Sequence, residues 1–187
     1  SSQCPTLLDP NNADLEYLQD SADIITYLYK QYALWTPPNQ ALRSISSVIS
    51  PVLKPVYSYL APLQAGESYD SQSTQNAIEE DILSHPVVIY TYELSPFCSE
   101  AIALFDRAGI EYKEISLGLE WVPGLIDSSS GGGAEKRAVL GTMTGQTSLP
   151  HVFVGGKSIG GIFSGSPGVV PALEAGTFLN DVKKATT

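Results

Sequence analysis

Val87-Val88-Ile89-Tyr90-Thr91, a short apolar run, leads through Tyr92-Glu93-Leu94 into Ser95-Pro96-Phe97-Cys98. A run of this length without alternation predicts a strand buried on both faces, at the centre of a sheet. Ser95-Pro96 then predicts a helix start, because proline suits the first helical position, where its missing N–H costs nothing. Ala101, Leu104, Phe105 and Ala108 recur on one face of that helix, and Gly109 supplies its C-terminal cap. Ile110 to Ile115 reads as a second strand, so residues 87–115 form a βαβ unit whose crossover should be right-handed.

Working outward, Ser116 to Gly133 is an irregular, Ser- and Gly-rich surface insertion with Trp121 as its one large anchor. A short helix is expected over Ala134–Thr142. Pro150–Val154 and Ser158–Ile159 then flank Gly155-Gly156 as a hairpin, and a last helix covers about 168 to 184. The order β-α-β-α-β-β-α is that of the thioredoxin fold, an α/β architecture with a mixed four-stranded sheet flanked by helices.

Toward the N-terminus, Thr6-Leu7-Leu8, the turn Asp9-Pro10-Asn11-Asn12 and Leu15 to Leu18 predict strand, turn and strand. A helix capped by Asp20 or Ser21 follows, with Ile24, Ile25, Leu28 and Tyr32 at helical spacing, until Trp35-Thr36-Pro37-Pro38 ends it. Leu42, Ile45, Val48, Ile49, Val52, Leu53, Val56 and Leu60 then mark a helical apolar stripe, which Pro51 and Pro55 should kink or break. Two readings of the stripe stand: a helix packed on its own protein, or a face offered to a partner chain. Gln64 to His85 is polar and predicts a linker with at most a short helix around 76 to 83, the run Glu79-Glu80-Asp81 being a solvated face. The organisation expected is residues 1–38 as a partial ββα unit, 39–85 as a helical and polar linker, and 86–187 as the main domain.

The 187 residues carry 20 acidic and 10 basic side chains, a formal charge of -10. Such a balance repels phosphate and anionic lipid, so nucleic-acid binding and charge-driven membrane binding are disfavoured. Apolar residues make up 43% of the chain, enough for a folded core. No apolar run reaches the length of a transmembrane helix. Two cysteines, Cys4 and Cys98, fall in different units, so neither a disulfide scaffold nor a zinc cluster is expected, and a reducing compartment fits. His85 and His151 have no metal or triad partner in the pattern and read as structural or solvated. Gly131-Gly132-Gly133 and Gly155-Gly156 lack the context of a phosphate loop and read as turns.

Two blocks of the main domain together resemble the glutaredoxins: the strand, turn and Ser95-Pro96-Phe97-Cys98, then Thr144-Gly145-Gln146-Thr147-Ser148-Leu149-Pro150 running into Val152-Phe153-Val154-Gly155-Gly156-Lys157-Ser158-Ile159-Gly160-Gly161. The first unit resembles the later half of a glutathione-transferase N-terminal domain, through Cys4-Pro5-Thr6-Leu7-Leu8-Asp9-Pro10, Asp20-Ser21-Ala22-Asp23-Ile24-Ile25 and Tyr27-Leu28. In that family the proline is cis, and an acid-serine pair such as Asp20-Ser21 receives the γ-glutamyl end of glutathione. Together the halves are similar to tandem thioredoxin-fold proteins of plant and algal plastids, which implies a plastid stroma location, or otherwise the cytosol. The strand, helix and active-site turn that precede this point in the family are not in the chain. A half-fold leaves an apolar face and sheet edge to cover, by the linker stripe, the second domain or a partner subunit.

The resemblance implies glutathione as ligand and Ser95 and Cys98 as catalytic positions. Ser95 stands where glutaredoxins carry the attacking cysteine, and a hydroxyl cannot perform disulfide exchange. The same replacement removes the cysteine that holds a shared iron-sulfur cluster in monothiol members, so no cluster or metal is expected. Cys98, at the fourth position of the turn, reads first as a small core residue and second as a resolving thiol. Ser95 can still donate a hydrogen bond that favours a bound glutathione thiolate. Leu149 before a cis-Pro150 offers its backbone to the tripeptide, and Arg137 matches a position that meets the glycine carboxylate. Tyr92 replaces the basic residue before the turn, and Ile162-Phe163-Ser164-Gly165 replaces the acidic pair after the double glycine, so two charge anchors are absent.

Two functions follow. In the first, favoured by these losses, the chain is a degenerate glutaredoxin-like interaction subunit of a larger assembly, such as a plastid photosynthetic complex, contacting its partner through residues 42–60 and the incomplete first unit. In the alternative it is a glutathione-dependent thiol oxidoreductase or glutathione transferase using Ser95 with Cys98.

Overall fold

The computed structural model describes residues 6–9, 17–19, 24, 40–66, 69–93, 95–119 and 133–186. Helix α1 spans Gln40–Ala65 and α2 Ser71–Leu83; strand β1 is Val87–Thr91, α3 Pro96–Ala108, β2 Lys113–Ser116, α4 Gly133–Thr144, β3 His151–Val154, β4 Lys157–Gly160, α5 Val169–Glu174 and α6 Phe178–Thr186. The strands form one sheet in the order β2-β1-β3-β4. β1 runs parallel to β2, with Val88 opposite Lys113, and antiparallel to β3, with Tyr90 opposite His151; β3 and β4 are antiparallel. This is the thioredoxin-like, mixed four-stranded sheet that the element order predicts.

β1 is buried at every position because both faces of the sheet are covered. Alternation divides its side chains. Val87 and Ile89, with Val152 and Val154 of β3, meet Leu104 and Phe105 of α3 together with Val169, Val170 and Phe178. Val88, Tyr90 and Phe153 face the other way, onto Ile78 and Ile82 of α2 and Val139 and Leu140 of α4. Gly109 ends α3 in the left-handed conformation, φ +63°, and the Ile110 amide closes on the Phe105 carbonyl at 3.0 Å. That is the cap expected of a glycine at this place.

Four expectations need correction. The polar stretch before β1 holds a 13-residue helix, α2, where at most a short one around 76 to 83 was expected. Its polar composition supports helix locally. The Asp70 carboxylate accepts from the Ser73 amide at 3.0 Å, and Gln72–Asn76 and Gln75–Glu79 bond at i,i+4 spacing. Only Ile78 and Ile82 are buried, which is too sparse a stripe to see in sequence. Next, Asp81 is not a solvated acid. It accepts from Lys136 Nζ at 2.9 Å, lies 3.5 Å from Lys113 Nζ and takes a longer contact from the Tyr90 hydroxyl, so α2, α4, β2 and β1 share one carboxylate. Burial and the nearby Asp81 charge raise the Tyr90 phenol well above its ordinary value.

Third, α1 is not broken at Pro51 or Pro55 but remains helical through both. A proline removes one rung of the hydrogen-bond ladder, and the packing of α1 against α4 holds the segment in place. Fourth, the final helix is two. Gly176, at φ +69°, turns the chain between α5 and α6, and the Thr177 hydroxyl returns to the Ala172 carbonyl at 3.2 Å. Among the N-terminal residues described, Leu7 and Leu18 exchange amide bonds of 2.8 and 3.0 Å as an antiparallel bridge, and Ile24 is helical. Cys4, Asp20, Ser21, Trp35 and Trp121 lie outside the described residues. No described helix is long and apolar enough to cross a membrane.

Candidate functional site

The sheet topology brings three segments together at the C-terminal end of β1. The turn from Tyr92 to Ser95 leaves β1 there, the end of β2 lies on one side, and the loop before β3 lies on the other, since Tyr90 pairs with His151 and Pro150 precedes it. Leu117 and Glu93 tie the first two: the Leu117 amide donates to Thr91 at 2.8 Å and the Glu93 amide to Gly118 at 3.0 Å. The Thr91 hydroxyl donates to Glu114 Oε1 at 2.6 Å, fixing that carboxylate beside the turn.

Ser95 caps α3. Its backbone is extended, Pro96 occupies the first helical turn, and its Oγ accepts a long bond, 3.4 Å, from the Cys98 amide. A serine here does the work that its residue type favours at an N-cap. Cys98 lies one turn into the helix and is 2% exposed, in the core beside Tyr90, Leu140 and Phe153. Its sulfur accepts from the Tyr92 amide at 3.3 Å. Burial pushes the thiol pKa up, against hydrogen bonds from Ser95 and Tyr92 that lower it, and the Glu114 charge pushes the same way as burial. Cys98 is therefore a protonated core thiol at neutral pH, in keeping with the first of its two readings.

The Leu149-Pro150 peptide bond is cis, as the resemblance implied, and so is Ser166-Pro167, for which the sequence carried no signal. Polar side chains brace the loop before it. Gln146 Nε2 donates to the Ser148 carbonyl at 3.0 Å, and the Thr144 hydroxyl, itself bonded to Leu140 at 2.7 Å, accepts from the Gln146 amide. Arg137 reaches the same loop from α4, donating from Nε to the Thr147 carbonyl at 3.1 Å, and its guanidinium carbon sits 5.6 Å from the centre of the Tyr92 ring. At 2% exposure this cation is enclosed between the turn and the loop. Tyr92, which replaces a basic residue, thus packs with a cation from another element.

After the double glycine, Ile162 is buried and Phe163 packs edge-on against Phe97 of α3, centroids 6.4 Å apart. The place of an acidic pair is taken by an apolar wall beside the helix start. His151 lies beneath, fully buried, stacked on Phe153, with Nε2 2.7 Å from the Ser158 hydroxyl and Nδ1 without a hydrogen-bond partner. Burial lowers its pKa to about 4, so it is neutral, the structural role expected of it.

Ser95, Cys98, Leu149, Pro150 and Arg137 are thus grouped around one sheet end, while Asp20 and Ser21 lie outside the described residues. Glu114, Thr91, Gln146 and Thr144 carry no functional signal in sequence: Glu114 lies on an exposed strand, Thr91 at the end of the buried β1, Thr144 at the end of α4 and Gln146 in the loop that follows. Among the described residues, no three His, Cys, Asp or Glu side chains group as a metal site.

The arrangement has counterparts among known proteins. The family model described as glutaredoxin matches residues 87–159. Glutaredoxin-C6 of Oryza sativa subsp. japonica is 34% identical over 115 residues, covering 58% of the chain and 94% of that protein. Glutaredoxin-C5, chloroplastic, of Arabidopsis thaliana is 32% identical over 87 residues, 46% of the chain and 45% of that protein. The crystal structure of a buckwheat glutaredoxin-glutathione complex superposes with a TM-score of 0.53 at 26% identity, covering 62% of the chain and 93% of the buckwheat protein.

Proposed function

Since this chain belongs to the glutaredoxin family, we propose that it binds glutathione at the Ser95 turn and acts on the thiol of that tripeptide rather than through a cysteine of its own. One observation carries this reading: the helix start holds a hydroxyl, Ser95 Oγ, while the sulfur, Cys98, is enclosed one turn further in and protonated. Ser95 Oγ accepts the Cys98 amide, and its O–H, which in the free protein leans on the Cys98 sulfur, is the donor that a sulfur arriving at the helix start would take over. Such a donor, with the positive end of the helix dipole, favours a thiolate over a thiol. Leu149 and Pro150 supply the backbone edge for the peptide. Arg137 acts by bracing that edge through Thr147. The apolar wall of Phe97 and Phe163 suits an apolar co-substrate, which favours thiol transfer to an electrophile over exchange with a charged disulfide.

The test is calorimetric titration with reduced glutathione, paired with the ultraviolet thiolate absorbance of the bound tripeptide. The expected result is saturable binding with thiolate formed at neutral pH, and loss of the thiolate signal in Ser95→Ala with a smaller change in affinity. No binding at millimolar ligand overturns the proposal.

Finer parts of the reading belong to the same proposal. The antiparallel Leu7/Leu18 bridge supports residues 1–38 as a partial thioredoxin-like unit, while the glutaredoxin-like domain expected over 86–187 reaches back to include α2, whose Ile78 and Ile82 lie in its core, and this shortens the linker expected over 39–85. A chloroplastic relative supports a plastid location. The interaction-subunit reading draws support from apolar side chains exposed on α1.

A further inference from the structure

We propose that α1 is a self-association surface, on which two copies of this chain pair their α1 helices antiparallel about a two-fold axis near position 54. The observation is a stripe of large apolar side chains left in solvent by a helix whose other side is packed. Ile45, Val48, Tyr59 and Leu63 are 44%, 72%, 73% and 61% exposed, whereas Ala61 is fully buried. At about 100° per residue, Ile45 and Leu63 fall in line, and Val48 and Tyr59 lie within about 60° of them on the same side. Ala61 points to the opposite side of the helix and is buried, and α1 packs against α4. Monomeric proteins rarely leave large apolar side chains grouped in this way along one helix face.

Two further features identify the occupant. The stripe is symmetric along the helix: Ile45 and Leu63 stand nine residues either side of position 54, and Val48 and Tyr59 six and five. An antiparallel copy therefore brings Ile45 against Leu63 and Val48 against Tyr59, the self-complementarity that an isologous interface requires. The span from 45 to 63 is about 27 Å at 1.5 Å per residue, long enough for a continuous helix pair. Charge adds the second feature. The chain carries 20 acidic residues, yet none lies in Gln40–Ala65, which holds Arg43 and Lys54. Arg43 turns away to Glu174 of α5, 2.9 Å away. Two copies with a formal charge of -10 each would repel across most approaches, and α1 is the described helix on which they meet without opposing carboxylates.

The pairing is tested by sedimentation velocity on the full chain between about 1 and about 100 µM, a range that brackets association of modest interfaces. The expected result is a shift of mass from 20.0 kDa toward twice that value with concentration, abolished by Val48→Asp combined with Tyr59→Asp. These positions are exposed, so the fold survives, and an unchanged circular dichroism spectrum confirms it. Register is tested separately in a Cys4→Ser background. Oxidised mixtures of Ile45→Cys and Leu63→Cys chains should yield the mixed disulfide dimer in excess over either self-linked dimer. A monomer at the highest concentration, or a dimer indifferent to the double substitution, overturns the surface, and preferential self-linkage of Ile45→Cys overturns the antiparallel register.

Discussion

Replacing His151 with glutamine should flatten the acid side of the protein's stability profile. His151 is fully buried and held neutral, its Nε2 bonded to Ser158 Oγ at 2.7 Å and its ring stacked 4.8 Å from that of Phe153. Burial depresses its pKa from 6.5 to about 4. Between those values the unfolded chain carries the proton and the folded chain does not, so the unfolded state binds more protons and stability falls as pH falls. The contribution of the neutral ring is complete above pH 6.5 and fully lost below the folded value. A difference of this size corresponds to about 3 kcal/mol in full, and to about 2 kcal/mol by pH 5. Glutamine reaches the same Ser158 hydroxyl without titrating, so His151→Gln removes this slope and leaves those of the carboxylates. Urea unfolding followed by circular dichroism at pH 7 and pH 5, for both proteins, measures the difference. Wild type should lose about 2 kcal/mol more than the variant over that interval. Equal losses would refute the reasoning, since they would mean that His151 is solvated enough to titrate alike in both states.

Three further outcomes follow from the same geometry. Cys98 should resist alkylation by N-ethylmaleimide in the folded protein and react only on unfolding, because its thiol is 2% exposed and its pKa is raised by burial; rapid native-state modification, read by intact mass, would contradict this. Gly160→Ala should destabilise by at least about 1–3 kcal/mol, since Gly160 has φ +97° and an added Cβ would lie 2.6 Å from the Gly165 backbone; an unchanged urea midpoint would count against the packing described there. If glutathione binds as proposed, Ser164→Asp, at an exposed position in the stretch that stands in place of the family's acidic pair, should tighten that binding by roughly tenfold in calorimetry, because a charge-assisted hydrogen bond is worth about 1.5–3 kcal/mol before losses in orientation; unchanged affinity would count against this stretch as a charge anchor.

The elements around the candidate site were legible because each carries a local code. The apolar run 87–91, the Ser95-Pro96 start, the Gly109 stop and the Gly155-Gly156 hairpin follow from short-range sterics and periodicity, and all appear in the structure. Helix boundaries that depend on sparse burial were not legible. α2 presents only Ile78 and Ile82 to the core, so its helical pattern is hidden among polar residues whose capping and i,i+4 bonds are specific only once the helix exists. The break at Gly176 likewise depends on where α5 and α6 must turn to cover β1 and β3.

For the site, sequence determined the chemical identities: a hydroxyl at the helix start, one cysteine a turn later, a tyrosine in place of a base and apolar residues in place of acids. Tertiary structure decided their states. Cys98 is a protonated thiol because the sheet and α4 exclude water from it. Arg137 is enclosed against Tyr92 and Thr147, and Asp81 gathers cations from two other elements. Ionisation and exposure depend on the dielectric and the partners within a few ångströms, which come from segments distant in the chain. Only the folded arrangement places them together.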